Sequence, residues 1–101
     1  MNEQKLIALL GLAQKAGKIV SGELAIEKAV RSGKAGIILI AANATANSKK
    51  NYHDLSNYYE IKCYEVLSKE EFGTAIGKSA RAALSIVDVG FSKAIGKVLC
   101  T

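Results

Sequence analysis

Residues 18–42 read Lys18-Ile-Val-Ser-Gly22-Glu-Leu-Ala-Ile-Glu-Lys28-Ala-Val-Arg31-Ser-Gly33-Lys-Ala-Gly36-Ile-Ile-Leu-Ile-Ala-Ala42. A short strand candidate, 18–20, ends at a Ser-Gly turn, and a helix opens there with Ser21 as its expected cap. Gly33 stops the helix, and the run 35–42 is apolar almost throughout, as in a strand covered on both faces. The helix is expected to bury Ala25, Ala29 and Val30, with Ile26 at the margin and Lys28 and Arg31 on the polar face. A helix start with a small glycine and cations nearby suits an anion, because its first N–H groups have no intrahelical acceptor and the helix dipole is positive there. A nucleic-acid phosphate backbone is the ligand class this combination predicts.

Working outward, Asn2 is placed to cap a first helix on which Leu6, Leu9, Leu10 and Ala13 recur at helical spacing, and Gly17 stops it. Downstream, 43–48 is a polar loop leading into a helix through about Tyr59, and 61–67 is a strand. Ser68-Lys-Glu-Glu71 has capping-box spacing and opens a short helix ending near Gly77. Residues 80–87 form another apolar strand, and 90–99 a last helix. Strands alternating with helices predict a sheet with helices on both faces, in which 36–42, 61–67 and 80–87 are neighbours.

The 101 residues suggest one domain, and half of them are hydrophobic, enough for a core without staples. Fourteen Lys and Arg against nine Asp and Glu leave a net charge of +5, a modest excess that fits an anionic partner. Cys63 and Cys100 lie far apart with no metal or redox spacing, so reduced thiols in a cytosolic protein are expected, Cys63 on a strand. No secretory signal is expected, because Gly11 and Gln14 interrupt the apolar start, and no apolar run is long enough to span a membrane.

Three groups of residues could carry chemistry. Gly73-Thr-Ala-Ile-Gly77-Lys78-Ser79 looks like a nucleotide phosphate loop, but it has three residues between its glycines instead of four and sits between a helix and a strand, the reverse of what the loop needs. His53, the single histidine, reads as a solvated side chain on an exposed helix, with no nucleophile elbow elsewhere. The third group is a basic rim: Lys15, Lys18, Lys28, Arg31 and Lys34 flank the second helix, and Lys78 and Arg81 lie in the loop and strand start after Gly77. In a sandwich these two regions can meet at one end of the sheet. Tyr52, Tyr58, Tyr59 and Tyr64 could stack bases, although half-buried packing is the more ordinary role.

Gly22 six positions before Lys28-Ala-Val, then Gly33-x-Ala35, an apolar strand ending Ile-Ala-Ala42, and Phe72-Gly-x-Ala-x-Gly77 before a last strand together resemble the kink-turn-binding ribosomal-protein superfamily of the L-seven-Ae type. Leu9-Leu-Gly-Leu-Ala13, Lys18-Ile-Val-Ser-Gly-Glu23, Ile76-Gly-Lys-Ser-Ala-Arg81 and Asp88-Val-Gly-Phe91 are most similar to its bacterial YlxQ-like branch. The resemblance spans about residues 5–98 and implies an α/β/α sandwich that binds RNA without catalysis. It places the RNA site at the helix start, with Gly22 and Lys28 on the family's glycine and lysine, and at the following loop, on Lys78, Ser79, Ala80 and Arg81. The family's Asn-Glu pair, which reads guanines of sheared G·A pairs, falls on Leu24-Ala25, and neither side chain can make those hydrogen bonds. The expectation is RNA contact with weakened kink-turn selectivity.

The combined expectation is an α/β fold, a three-layer α/β/α sandwich with a mixed four-stranded sheet, forming a single domain over residues 1–101. It is a cytoplasmic, monomeric, non-catalytic protein, ribosomal or ribosome-associated, that needs no cofactor or metal. Its partner is structured RNA, ribosomal RNA included, with no membrane. The expected contacts are Lys18, Ser21, Gly22, Lys28, Arg31, Lys78, Ser79, Ala80 and Arg81. A protein–protein adapter on the same fold is the rival, marked by a contiguous apolar patch around Leu24. An enzyme would need a deep pocket with converging polar groups, for example at His53.

Overall fold

The computed structural model describes residues 1–100. Helix α1, Glu3–Lys15, starts on Asn2, whose Oδ1 accepts from the Lys5 N–H at 3.0 Å, and buries Leu6, Leu10 and Ala13. Strand β1, Ile19–Ser21, leads into helix α2, Glu23–Arg31. Two expectations about α2 are corrected. Ser21 does not cap it: Ser21 belongs to β1, and the cap position is Gly22, which has no side chain to offer. The buried arc is Ile26, Ala29 and Val30, and Ala25 is exposed. Positions i, i+3 and i+4 bring Ile26, Ala29 and Val30 inward together, which turns Ala25 out.

Strand β2, Ile37–Ile40, is buried at every residue. Helix α3, Ala46–Tyr58, begins earlier than the sequence suggests, so 46–48 are helical; Thr45 Oγ1 caps it by accepting from the Ser48 N–H. Strand β3 is Lys62–Glu65. Helix α4, Lys69–Ile76, carries the expected capping box: Ser68 Oγ accepts from the Glu71 N–H and Glu71 Oε1 from the Ser68 N–H. Gly77 ends α4 in the left-handed region at φ 70°. Strand β4, Ala83–Ile86, starts three residues later than expected, so Arg81 is in the loop before it. Helix α5, Val89–Leu99, is capped by Asp88, whose Oδ2 accepts from the Phe91 N–H at 2.8 Å.

The strand order is β1-β4-β2-β3, with β2 and β3 parallel and the other pairs antiparallel. The three longer strands are neighbours and helices cover both faces: α2 and α3 pack on one, and α1, packed against α4 and α5, lies on the other. Leu6, Leu10, Ile26, Phe72, Ile95 and the residues of β2 and β4 form one continuous core. Inside it, the Ser85 hydroxyl donates to the Ile37 carbonyl at 3.1 Å, so this buried polar group is satisfied.

The register decides what meets what. Ser21 pairs with Leu84, and Ala83 with Ile40. The end of β1, the end of β2 and the entry to β4 therefore share one end of the sheet, while Ile19, Ile37 and Lys62 mark the other.

Candidate nucleic-acid interface

At that first end, β1 delivers Gly22 with φ 93° and ψ 140°, a conformation open to glycine and strained for other residues. The first helical hydrogen bond runs from the Ile26 N–H to the Gly22 carbonyl, and no side chain caps the amides before it. The start of α2 thus offers unpaired donors at the positive end of its dipole.

The second half of the surface is the loop 78–82 between α4 and β4. Its backbone is pinned along its length: the Lys78 N–H donates to the Gly73 carbonyl at 2.8 Å, the Arg81 N–H to the Lys69 carbonyl at 3.1 Å, and the Ala41 N–H to the Ala82 carbonyl at 2.8 Å. Gly73 is what lets the loop lie against α4, since a Cβ there would stand 2.4 Å from the Ser79 carbonyl oxygen. Asn43, at the end of β2, ties in the start of α4 by accepting from the Lys69 N–H and donating to Glu70 Oε1. From the sequence Asn43 is only a loop residue; its position just past a buried strand is the signal for its role.

Arg81 joins the two halves. Its Nε donates to Ser21 Oγ at 3.2 Å, and its Nη1 donates to Ser79 Oγ at 2.7 Å and to the carbonyls of Ser79 and Ala80. Half-buried and committed to four acceptors, Arg81 is first a brace and only second a surface charge. Around it Gly22, Lys78, Ser79 and Ala80 are exposed. Lys28 is exposed on α2, about 9 Å along the axis from Gly22. Neither Lys28 nor Lys78 is ion-paired among the described residues.

Two of the expected contacts are not brought to this surface. Lys18 precedes β1, and its carbonyl accepts from the Val87 N–H, so it sits at the other end of the sheet. Arg31 lies about 13 Å along α2 from Gly22 and is ion-paired with Glu27. Spacing along a helix or strand brought both near Gly22 in sequence, and the direction of the elements carries both away.

His53 is not simply solvated. Its Nε2 lies 2.7 Å from Glu65 Oε2, and Lys49 Nζ lies 3.2 Å from Glu65 Oε1, a brace between α3 and the edge strand β3. The hydrogen bond from His53, and then that from Lys49, holds the Glu65 carboxyl below its ordinary range. The cleft of about 550 Å³ between α2 and α3 is walled by Tyr52, Leu55, Tyr58, Tyr59 and the acids Glu23, Glu27 and Asp54, without His53. Tyr52 is a buried packing residue, its phenol pushed up by burial and then by Glu23. Tyr58 and Tyr59 make an edge contact at the far end of α3, away from Gly22. Tyr64, half-buried on β3, meets the Cys100 thiol at 3.5 Å, and the Cys63 thiol on the same strand is pushed up by burial. The Gly73–Lys78 segment is the end of a helix, its amides already spent on helical bonds, and does not wrap around a vacant centre. Among the described residues no group of His, Cys, Asp and Glu could hold a metal ion, and no helix is long and apolar enough to cross a membrane.

Residues 4–96 match the model of the Ribosomal protein L7Ae/L30e/S12e/Gadd45 family. The RNA-binding protein YlxQ of Enterococcus faecium is 44% identical over 92 residues, covering 91% of this chain and 88% of that protein. The large ribosomal subunit protein eL30 of Neurospora crassa is 37% identical over 100 residues, covering 88% of this chain and 84% of that protein. A solved structure of a protein with unknown function from Bacillus halodurans superposes with a TM-score of 0.93 at 31% identity, covering 96% of this chain and 98% of that one. The chain belongs to the L7Ae/L30e/S12e/Gadd45 family of ribosomal proteins.

Proposed function

We propose that this protein is a small, non-catalytic binder of structured RNA, acting as a monomer in the cytoplasm and in association with the ribosome. The observation that carries this reading is the Arg81–Ser21 hydrogen bond. It holds an uncapped helix start and a glycine-supported loop side by side, with Lys78 beside them and Lys28 about 9 Å along α2, neither ion-paired among the described residues. Backbone amides and a helix dipole accept a phosphate, the two lysines add charge, and the Ser79 hydroxyl adds a donor. The names of the relatives, RNA-binding YlxQ and ribosomal eL30, point the same way.

The surface bears on selectivity as well. Leu24 is 83% exposed and Ala25 is exposed on the first turn of α2, where the family pattern has Asn-Glu. Phosphate contact remains available there, and base-edge readout by these two side chains does not. The shallow groove beside Leu24 is otherwise lined by Glu27, Lys28, Arg31 and Ser32, so Leu24 is a lone apolar side chain among charges and not the centre of an adapter patch.

Titrating a kink-turn hairpin and the same hairpin without its G·A pairs, at several salt concentrations, tests this. The wild type is expected to bind both with similar affinity. Lys28→Ala and Lys78→Ala should each weaken binding and lower the salt slope by about one counterion. The double change Leu24→Asn with Ala25→Glu should restore preference for the intact kink-turn. A wild type that binds neither RNA, with both lysine variants unchanged, overturns the reading.

A further inference from the structure

At the end of the sheet away from Gly22, a groove of about 440 Å³ lies between α5 and the start of β3. Lys62, Lys93 and Lys97 stand on its walls, and Gly36, Ser92 and Gly96 keep its floor low. All three lysines are exposed, and none is ion-paired among the described residues. The dipole of α5 accounts for at most one of them. Lys97 is in its last turn, whereas Lys93 is one turn back and Lys62 is on a strand.

Gly96 is the second and independent observation. It lies within α5, where glycine weakens a helix relative to alanine. Packing does not require it, because a Cβ at Gly96 would meet nothing within 4 Å. Gly36 differs, since a Cβ there would stand 2.5 Å from Ser92 Oγ. A helix that carries an unneeded glycine between two unpaired lysines leaves room for something to approach its backbone closely.

We infer that this groove is a second RNA contact, receiving the phosphodiester backbone of a segment other than the one at Gly22, so that the protein bridges two RNA elements. Three compact ammonium groups around an open floor fit successive phosphates and carry no means of reading bases. The two surfaces lie at opposite ends of a molecule 30 × 27 × 26 Å in extent, farther apart than the roughly 8–10 Å over which salt lets charges act together. Lys18 and Lys34 lie at this same end and add to its positive charge; the acids there are Glu60, before β3, and Asp88, whose carboxylate is engaged in capping α5. The inference takes RNA as the ligand class from the reading above, but it concerns different residues and is tested separately.

The experiment tethers a kink-turn hairpin, loads the protein, and then flows a fluorescent RNA duplex of about 16 base pairs, enough for two minor-groove faces. The wild type is expected to recruit the duplex. The Lys62→Gln, Lys93→Gln, Lys97→Gln triple variant should stay on the hairpin but recruit the duplex at least ~10-fold more weakly, with a salt slope lower by about two to three. Gly96→Ala should raise Tm while weakening recruitment, which a merely structural glycine would not do. If the hairpin captures no protein, the first reading has failed; direct titration of tethered protein with the duplex then decides the groove, an unchanged triple variant overturning it and a weakened one sustaining it. Recruitment by the triple variant equal to wild type overturns the inference. So does a groove that captures phosphatidylglycerol vesicles in a lysine-dependent way while leaving duplex binding unaffected.

Discussion

The starts of α2 and α4 lie at the same end of the sheet and are built in opposite ways. At α4, Ser68 and Glu71 satisfy each other's backbone donors, and Asn43 reaches over from β2 to accept from Lys69 as well. At α2, Gly22 supplies a turn and nothing else. Helices α1, α3 and α5 follow α4 in using a side-chain cap, from Asn2, Thr45 and Asp88. The difference separates framework from surface. The closed start of α4 holds the loop 78–82 in place, and the open start of α2, braced to that loop through Arg81, keeps its donors for a partner.

Breaking the framework should have the largest effect. Gly73→Ala puts a Cβ against the Ser79 carbonyl, and overpacking against backbone is expected to cost about 1–3 kcal/mol and to displace the loop. Urea melts should show the loss of stability and RNA titration a matching loss of affinity; an unaltered melt would mean that the loop moves freely. Gly22→Ala forces a side chain into a positive-φ conformation at a cost of about 1–2 kcal/mol. Here affinity should fall by more than stability alone explains, because full folding at low denaturant should not restore it. Ser68→Ala removes the closed cap for about 1 kcal/mol and, as the counterpart of Gly22→Ala, should leave RNA affinity near wild type once folded. An equal loss of affinity in both variants would erase the distinction between the two helix starts.

The smallest effect concerns pH. Glu65 has a lowered carboxyl pKa in the folded state through His53 and Lys49, so its pairing contributes stability above the unfolded value of 4.5. That contribution drains away as pH falls through the lowered folded value. Glu65→Gln should therefore flatten the acid side of the stability curve and leave RNA binding unaltered, since the brace lies on α3 and the edge strand β3, with β4 and β2 between it and β1. A change of RNA affinity in Glu65→Gln would tie the edge strand to the interface.

Much of the framework was legible because it is encoded locally. Asn2, and Ser68 with Glu71, announce helix starts by spacing, and the continuous apolar run into Ile40 announces a strand buried on both faces. The misplacements share a cause. Ser21 looked like a cap because Ser commonly is one, yet its hydroxyl accepts from Arg81, sixty positions away in the chain. Ile26 looked marginal until helix phase placed it with Ala29 and Val30. His53 looked solvated because its partner, Glu65, lies on another element.

The sequence by itself determined the order of elements, the alternation that makes a two-faced sheet, and the glycine positions that permit Gly22 and Gly77 to turn, because turns, caps and apolar periodicity act over a few residues. Only the tertiary structure decided which cations share a surface. The pairing of Ser21 with Leu84 and of Ala83 with Ile40 sets the end of β1 beside the entry to β4, while the directions of β1 and α2 carry Lys18 and Arg31 away from it. Charge placement depends on strand order and register, and those are settled by the packing of the whole core and not by the residues that bear the charge.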